Sequence, residues 1–346
     1  MDCLSRRQFL QGGLAVAGFG LLSGCRQPVP PAEAVRREPP QLVTRPPAKV
    51  LQVGALWSDA PGDLSASFAQ ALADYGHALG PSFVLDMRWV RTRSDLLPEL
   101  AAELVRHNVD VIVAPSTPAA LAAKQATATI PIVMVASGDP ITTGLVASLA
   151  RPGGNVTGLN SFTPATGLAR VELLRETFPG ITGVAILWNA ADPGKTHELQ
   201  ATRTAAQALG LRQQVLAVRV PDDVESTLRG AALGPSDALI VLGDALTHSC
   251  RTDIVNFVGP RRLPTLYDRR EYYVGDGGLM AYGPSFPDLF RRAAAYVDKI
   301  VRGARPADLP VEQPAATDLT VNLQVAQALG LTIPQQVLMR ATEVLQ

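Results

Sequence analysis

Cysteine is nearly absent. Cys3, Cys25 and Cys250 are the three in 346 residues, and the first two stand at the extreme amino end, so the body of the chain holds one thiol and no disulfide framework. A lone thiol of this kind reads as a small buried apolar residue. Charge of one sign is also missing: Lys plus Arg equals Asp plus Glu at 31 each, which leaves no basic footprint for nucleic acid and no polybasic patch for a membrane surface. Four histidines, His77, His107, His197 and His248, lie at spacings unrelated to a metal site, and neither Gly-x-Ser-x-Gly nor His-Glu-x-x-His occurs. The expectation is a chain without metal, cofactor or catalytic machinery. Past the amino end no long apolar run remains, and the one at residues 12–22 is too short for a comfortable membrane span.

What is present begins with Ser5-Arg6-Arg7-Gln8-Phe9-Leu10, the apolar segment 12–22 and Leu22-Ser23-Gly24-Cys25. This resembles a bacterial twin-arginine export signal fused to a lipoprotein box. The resemblance implies that residues 1–25 are a signal and that Cys25 is the site of lipid attachment and the first residue of the mature chain; the general secretory route stays open as the alternative. Residues 26–47 carry seven prolines, cannot build a core and are expected as an extended tether. At about 3.1 Å per residue it would reach on the order of 70 Å.

From residue 50 the pattern becomes regular. Short β-branched runs at 50–56, 83–89, 110–114 and 131–136 alternate with helical periodicity, the mark of a doubly wound parallel sheet. The third run stops at Pro115-Ser116-Thr117-Pro118 and the fourth at Ser137-Gly138-Asp139-Pro140. Each reads as a hydroxyl-bearing turn opening a helix, with Ser116 or Thr117 as N-cap and Pro118 at the first helical position. Both turns lie at carboxyl ends of parallel strands, where helix amino termini offer N–H groups to an anion, so a small carboxylate ligand is expected there. After the breaker cluster 151–158 the alternation restarts, with strands near 184–188, 215–220 and 238–242. The expectation is an α/β fold of two doubly wound lobes joined by a hinge. Lobe 1 is 48–160 with return elements at about 284–310, and lobe 2 is 161–283 with return elements at about 311–346.

Several segments carry a family likeness: LLPELAAELV at 96–105, DVIVA at 110–114, PAALAAK at 118–124, GDP at 138–140, GLVASL at 144–149, RPGGNVTG at 151–158, GGLMAYGP at 277–284 and ALGLTIP at 328–334. In this order the chain resembles ABC-transporter substrate-binding proteins of the tryptophan/tyrosine-binding type, which have a type I periplasmic binding-protein fold. The resemblance implies capture of an extracytoplasmic solute, an amino acid or similar carboxylate, by closure of two lobes and delivery to a permease, with the protein acting as a monomer. Ligand contacts are then expected from Ser58, Ser116, Thr117, Ser137, Gly138 and Asp139 in lobe 1 and from Asn189, Asp244 and Tyr267 at strand ends of lobe 2. Asp139 and Asp244 each read as an ammonium partner or as a helix cap, and Tyr267 as a ligand contact or as core. Trp57 and Trp188 are candidate stacking rings.

Two other readings stay open. Asn189-Ala190-Ala191-Asp192-Pro193-Gly194-Lys195-Thr196 differs from a phosphate loop at its first position, which suggests a nucleotide site. The same fold also serves lipoproteins that present a bound state to a receptor in place of a transporter.

Overall fold

The computed structural model describes residues 50–57, 62–90, 93–231, 233–234, 237–314 and 316–346. The export signal, the tether, Cys25 and Ser58 lie outside them. The first lobe runs β1 (Leu51–Trp57), α1 (Asp63–Asp74), β2 (Phe83–Trp89), α2 (Leu97–Arg106), β3 (Val111–Pro115), α3 (Thr117–Ala126), β4 (Ile132–Ser137) and β5 (Val156–Asn160). Its five strands are all parallel, in the order β2-β1-β3-β4-β5. The uninterrupted apolar runs of β3 and β4 follow from this position, since a central parallel strand is covered on both faces.

The chain then crosses to the second lobe: α4 (Pro164–Thr177), β6 (Gly183–Asn189), α5 (Lys195–Ala208), β7 (Arg212–Val218), α6 (Pro221–Gly230), β8 (Asp237–Val241), α7 (Ala245–Ser249), α8 (Arg251–Val258), β9 (Thr265–Tyr267) and β10 (Met280–Pro284). From β10 it passes back, and α9 (Phe286–Val301) packs Phe286, Leu289, Phe290 and Val297 into the lobe 1 core beside Leu64, Phe68 and Leu72 of α1. Residues 309–312 run along β5, where Glu312 N donates to Gly158 O at 2.9 Å and Asn160 N to Glu312 O at 3.0 Å. The last elements, β11 (Thr317–Asn322), α10 (Leu323–Leu329), α11 (Gln335–Arg340) and β12 (Glu343–Leu345), complete lobe 2. Its seven-stranded sheet has the order β12-β11-β10-β9-β8-β6-β7, with β10–β11 antiparallel. The architecture is thus α/β, two parallel-sheet lobes of the type I periplasmic binding-protein class.

Three local features depart from the pattern read in the sequence. No helix follows β4: Asp139 accepts the amides of Ile141 (3.0 Å) and Thr142 (3.2 Å), and the single turn ends at Gly144 with φ 73°. The carboxylate caps a turn that a left-handed glycine then closes. Pro118 stands second in α3, after Ser116 as N-cap. A five-residue helix, α7, and a final strand, β12, are too short to leave a periodic signal.

Candidate functional site

The two sheets present their strand carboxyl ends to each other. On lobe 1, Ser116 caps α3 by accepting the Ala119 amide at 3.3 Å, and its φ of 128° is a strained value for a residue with a side chain. The Thr117 amide, first in the helix, has no intrahelical acceptor. Thr117 Oγ1 accepts the Gly138 amide at 2.8 Å, which ties the β3 turn to the β4 turn. Ala136, at φ 51°, sits where the pairing of β4 with β5 shifts register, and Ser161 Oγ donates to the Ala136 carbonyl at 3.1 Å. This bulge carries Gly138 forward into the cleft.

Aromatic rings line the same wall. Trp57 at the end of β1 stacks on Phe290 with centroids 5.0 Å apart, and Phe286 lies under the Arg269 guanidinium, 3.2 Å from carbon to centroid. The Trp57 indole N–H is buried with no acceptor among the described residues.

Lobe 2 answers with charge. Asp192, Lys195, Asp244, Asp268 and Arg269 line one cavity with Trp57, Ser116, Thr117, Gly138, Phe286 and Phe290; it encloses about 640 Å³, its open mouth included. Lys195 Nζ donates to Glu198 at 2.8 Å, and Arg170, 2% exposed, pairs with the other Glu198 oxygen while its Nε donates to the Tyr282 carbonyl at 2.9 Å. Burial alone would raise Glu198, but Lys195 and Arg170 hold it below the usual carboxylate range. Lys195 shows the mirror case: burial opposes its charge, and Glu198, Asp268 and Asp192 together raise it.

Burial alone would raise Asp268, but the neighbouring His248, Arg269 and Lys195 hold it low. His248, buried and beside Arg269, is pushed down to about 3 and is neutral. Asp244 is raised by burial, which hydrogen bonds from the Thr247 amide and Asn189 only partly offset. Asp192 is pushed up to about 7, first by burial and then by the charge of Asp244.

The lobes touch around this cavity. A Cβ on Gly138 would stand 2.2 Å from the Gly194 carbonyl oxygen, and one on Gly194 would stand 2.2 Å from Thr117 Oγ1. At the rim His197 pairs with Asp139 across the cleft. A second chamber, away from the hinge crossings, shares Ser116, Asp192, Asp244 and Ala245 with the first and adds Asn189 and Arg219.

Of the residues expected from sequence, Ser116, Thr117, Gly138 and Asp244 line the inner cavity. Asn189 lies behind, donating to Asp244, whose other oxygen caps α7 through the Thr247 amide at 3.0 Å. Ser137 is buried against Met134, and Asp139 is taken up by its turn and His197. Tyr267 does not line the cavity; its ring stacks on Tyr273 at 4.2 Å in the core between the sheet and α8.

Asp192, Lys195, Asp268, Arg269, Phe286 and Phe290 were not expected. Asp192 and Lys195 had a signal only as members of the phosphate-loop-like run. In the fold that run is a β6–α5 turn, but Lys195 is spent on Glu198 and the Gly194 amide on Asp192 Oδ1 at 2.8 Å, so no cradle of free donors faces a phosphate.

Among the described residues no helix is long and apolar enough to cross a membrane. Residues 59–345 match the family described as ABC transporter substrate binding protein. The chain is 25% identical over 264 residues to the tyrosine-binding protein of Clostridioides difficile strain R20291, covering 76% of this chain and 75% of that one. Among solved structures, an ABC domain in complex with L-Trp from Streptococcus pneumonia superposes with TM-score 0.79 at 26% identity, over 86% of this chain and 100% of the other. The ligand-free, open structure of a substrate binding protein with adhesive properties from Clostridium difficile gives 0.63 at 25% identity with the same coverage. With its two facing lobes and a match that spans most of its length, the chain belongs to the ABC transporter substrate-binding protein family.

Proposed function

We propose that this protein captures an amino acid with an aromatic or large apolar side chain between its two lobes and delivers it to an ABC permease. The observation that carries the reading is the cavity itself, with rings of Trp57, Phe286 and Phe290 on one wall and Asp192, Asp244, Asp268 and Arg269 on the other. The rings suit the ligand side chain, the aspartates its ammonium, and Arg269 with the Thr117 amide its carboxylate. Closure follows from contacts available only when both lobes meet. At nearly equal identity the chain superposes better on the L-Trp complex, 0.79, than on the open structure, 0.63, which supports reading the present arrangement as closed. The signal-like amino end supports export, with anchoring through Cys25.

A thermal-shift screen of the amino acids and of small carboxylates tests this. L-Tryptophan or L-tyrosine at 100 times its dissociation constant should add about 2.7 kcal/mol of stability. Absence of a shift with every aromatic and large apolar amino acid would rule the reading out.

A further inference from the structure

The cavity wall of lobe 2 does not balance its own charge. Four carboxylates, Asp192, Glu198 and Asp268 buried and Asp244 partly so, stand beside three cations, Arg170, Lys195 and Arg269. His248 does not make up the difference, because it is buried and neutral. Among the described residues, other elements around the wall supply no further cation to it. Lobe 1 brings hydroxyls, amides and rings through Ser116, Thr117, Gly138 and Trp57, and Asp139 at the rim is paired with His197. Arg219 lines only the outer chamber, where it donates to the Ala190 carbonyl, and Asp95 there is paired with Arg93.

The hydrogen bonds show which carboxylate is left short. Glu198 has both Arg170 and Lys195. Asp244 accepts from Asn189, the Thr247 amide and the Thr247 hydroxyl. Asp268 has Arg269 and Lys195 beside it and His248 Nε2 at 3.6 Å, although its Oδ1 makes no hydrogen bond among the described residues. Asp192, 4% exposed, has the Gly194 amide on one oxygen and Lys195 near it, and among the described residues it forms no ion pair within 4 Å. It lines both chambers together with Asp244. A buried carboxyl in this position stays neutral by holding a proton unless a cation arrives.

Resting on the amino-acid reading above, we infer that Asp192 is the specificity residue that demands an ammonium on the ligand, and that the ligand's ammonium replaces the proton Asp192 carries in the closed, empty cleft. Capture below neutral pH therefore releases one proton to solvent and weakens as the medium becomes more acidic. Above neutral pH the carboxylate is already ionised and the linkage disappears until the ligand amine itself titrates. The raised position of Asp192 agrees with this direction.

The experiment is calorimetric titration of the full-length protein with three probes: L-tryptophan, tryptamine, which keeps the ammonium alone, and indole-3-propionate, which keeps the carboxylate alone. Each is measured at pH 5.5 and 7.5 in buffers of different ionisation enthalpy. L-Tryptophan should bind about tenfold or more tighter at pH 7.5 than at pH 5.5, with about one proton released at the lower pH. Tryptamine should show the same proton release, and indole-3-propionate none. Asp192→Asn, which mimics the protonated carboxyl in shape, should bind L-tryptophan weakly and equally at both pH values. L-Tryptophan binding that is flat between the two pH values, or a pH dependence that survives Asp192→Asn, overturns the inference and leaves the amino-acid reading standing. Failure of L-tryptophan and tryptamine to bind at either pH, together with no thermal shift from any aromatic or large apolar amino acid, overturns both.

Discussion

Replacing Gly138 by alanine puts a methyl group where the backbone of Gly194 already stands. The added carbon would lie 2.2 Å from the Gly194 carbonyl oxygen, 2.5 Å from its carbon and 2.6 Å from its Cα, all main-chain atoms that no rotamer change can move. Ordinary contact needs more than 3 Å, so the lobes must stand apart by about 1 Å at this point. Such overpacking costs about 1–3 kcal/mol. The penalty falls only on the closed form, because Gly138 meets Gly194 only across the cleft and its own backbone is not in a glycine-specific conformation. Ligand affinity is therefore expected to drop by about 5- to 150-fold, and the ligand-bound protein to compact less than wild type does. Calorimetry with L-tryptophan, together with small-angle scattering in the presence and absence of ligand, reads both quantities. If Gly138→Ala binds as tightly as the wild type and compacts as far, the ligand-bound lobes do not approach as closely as the present structure has them.

Three further outcomes follow from the charges. Arg170→Met leaves Glu198 short of a buried partner and should cost about 3–5 kcal/mol in urea unfolding, with Glu198→Gln in the same chain recovering part of it; a loss under about 1 kcal/mol would mean the pair is solvated. His197, more than half exposed at the cleft rim, should matter little: His197→Ala is expected to weaken binding less than about fivefold and not at all in high salt, and a larger, salt-insensitive loss would contradict the rim placement. Stability should respond to pH through two opposite signs. Asp268 and Glu198 are held low, so their contribution is complete above the unfolded carboxylate value near 4 and is lost as pH falls below it. Asp192 is held high, so ligand-free stability declines as pH rises from about 4 to about 7. Asp192→Asn should therefore raise the melting temperature relative to wild type more at pH 8 than at pH 5, and an equal change at both would refute the assignment.

The parts of the fold that could be read from sequence are those set by local pattern. The apolar runs of β3 and β4 identify themselves, and so does a helix start at Ser116 or Thr117, because a buried parallel strand and a helix start need those residue types whatever surrounds them; only the structure chooses Ser116 as the cap. The lobe 2 half of the site was harder. Tyr267 was found at a strand end, but alternation along β9 sends Leu266 to one core and Tyr267 to the other, and a three-residue strand does not announce which side faces the cleft. Asp268 and Arg269, its neighbours, point where a ligand could meet them. Phe286 and Phe290 are legible as one face of an amphipathic helix, yet that helix packs on a lobe whose other members end more than a hundred residues earlier. Asp192 and Lys195 are buried beside Asp244 and Asp268, which come from turns about 50 and 75 residues further on, so no local pattern records them.

The path of α9 has a consequence for how the protein is made. Lobe 1 receives its covering helix only after β6 to β10 of lobe 2 have been laid down, and the lobe 2 sheet gains its outer strands β11 and β12 only after α9 is complete. A chain growing from its amino end can therefore finish neither core early: stopped at residue 283 it lacks Phe286, Leu289 and Phe290 over the β1 and β4 face. Both lobes must reach maturity almost together, near the end of synthesis, and until then each exposes an apolar face that the other's return segment will cover. The interleaving that brings two sheets into register around one cleft also obliges the cell to keep the nascent chain from aggregating for nearly its whole length.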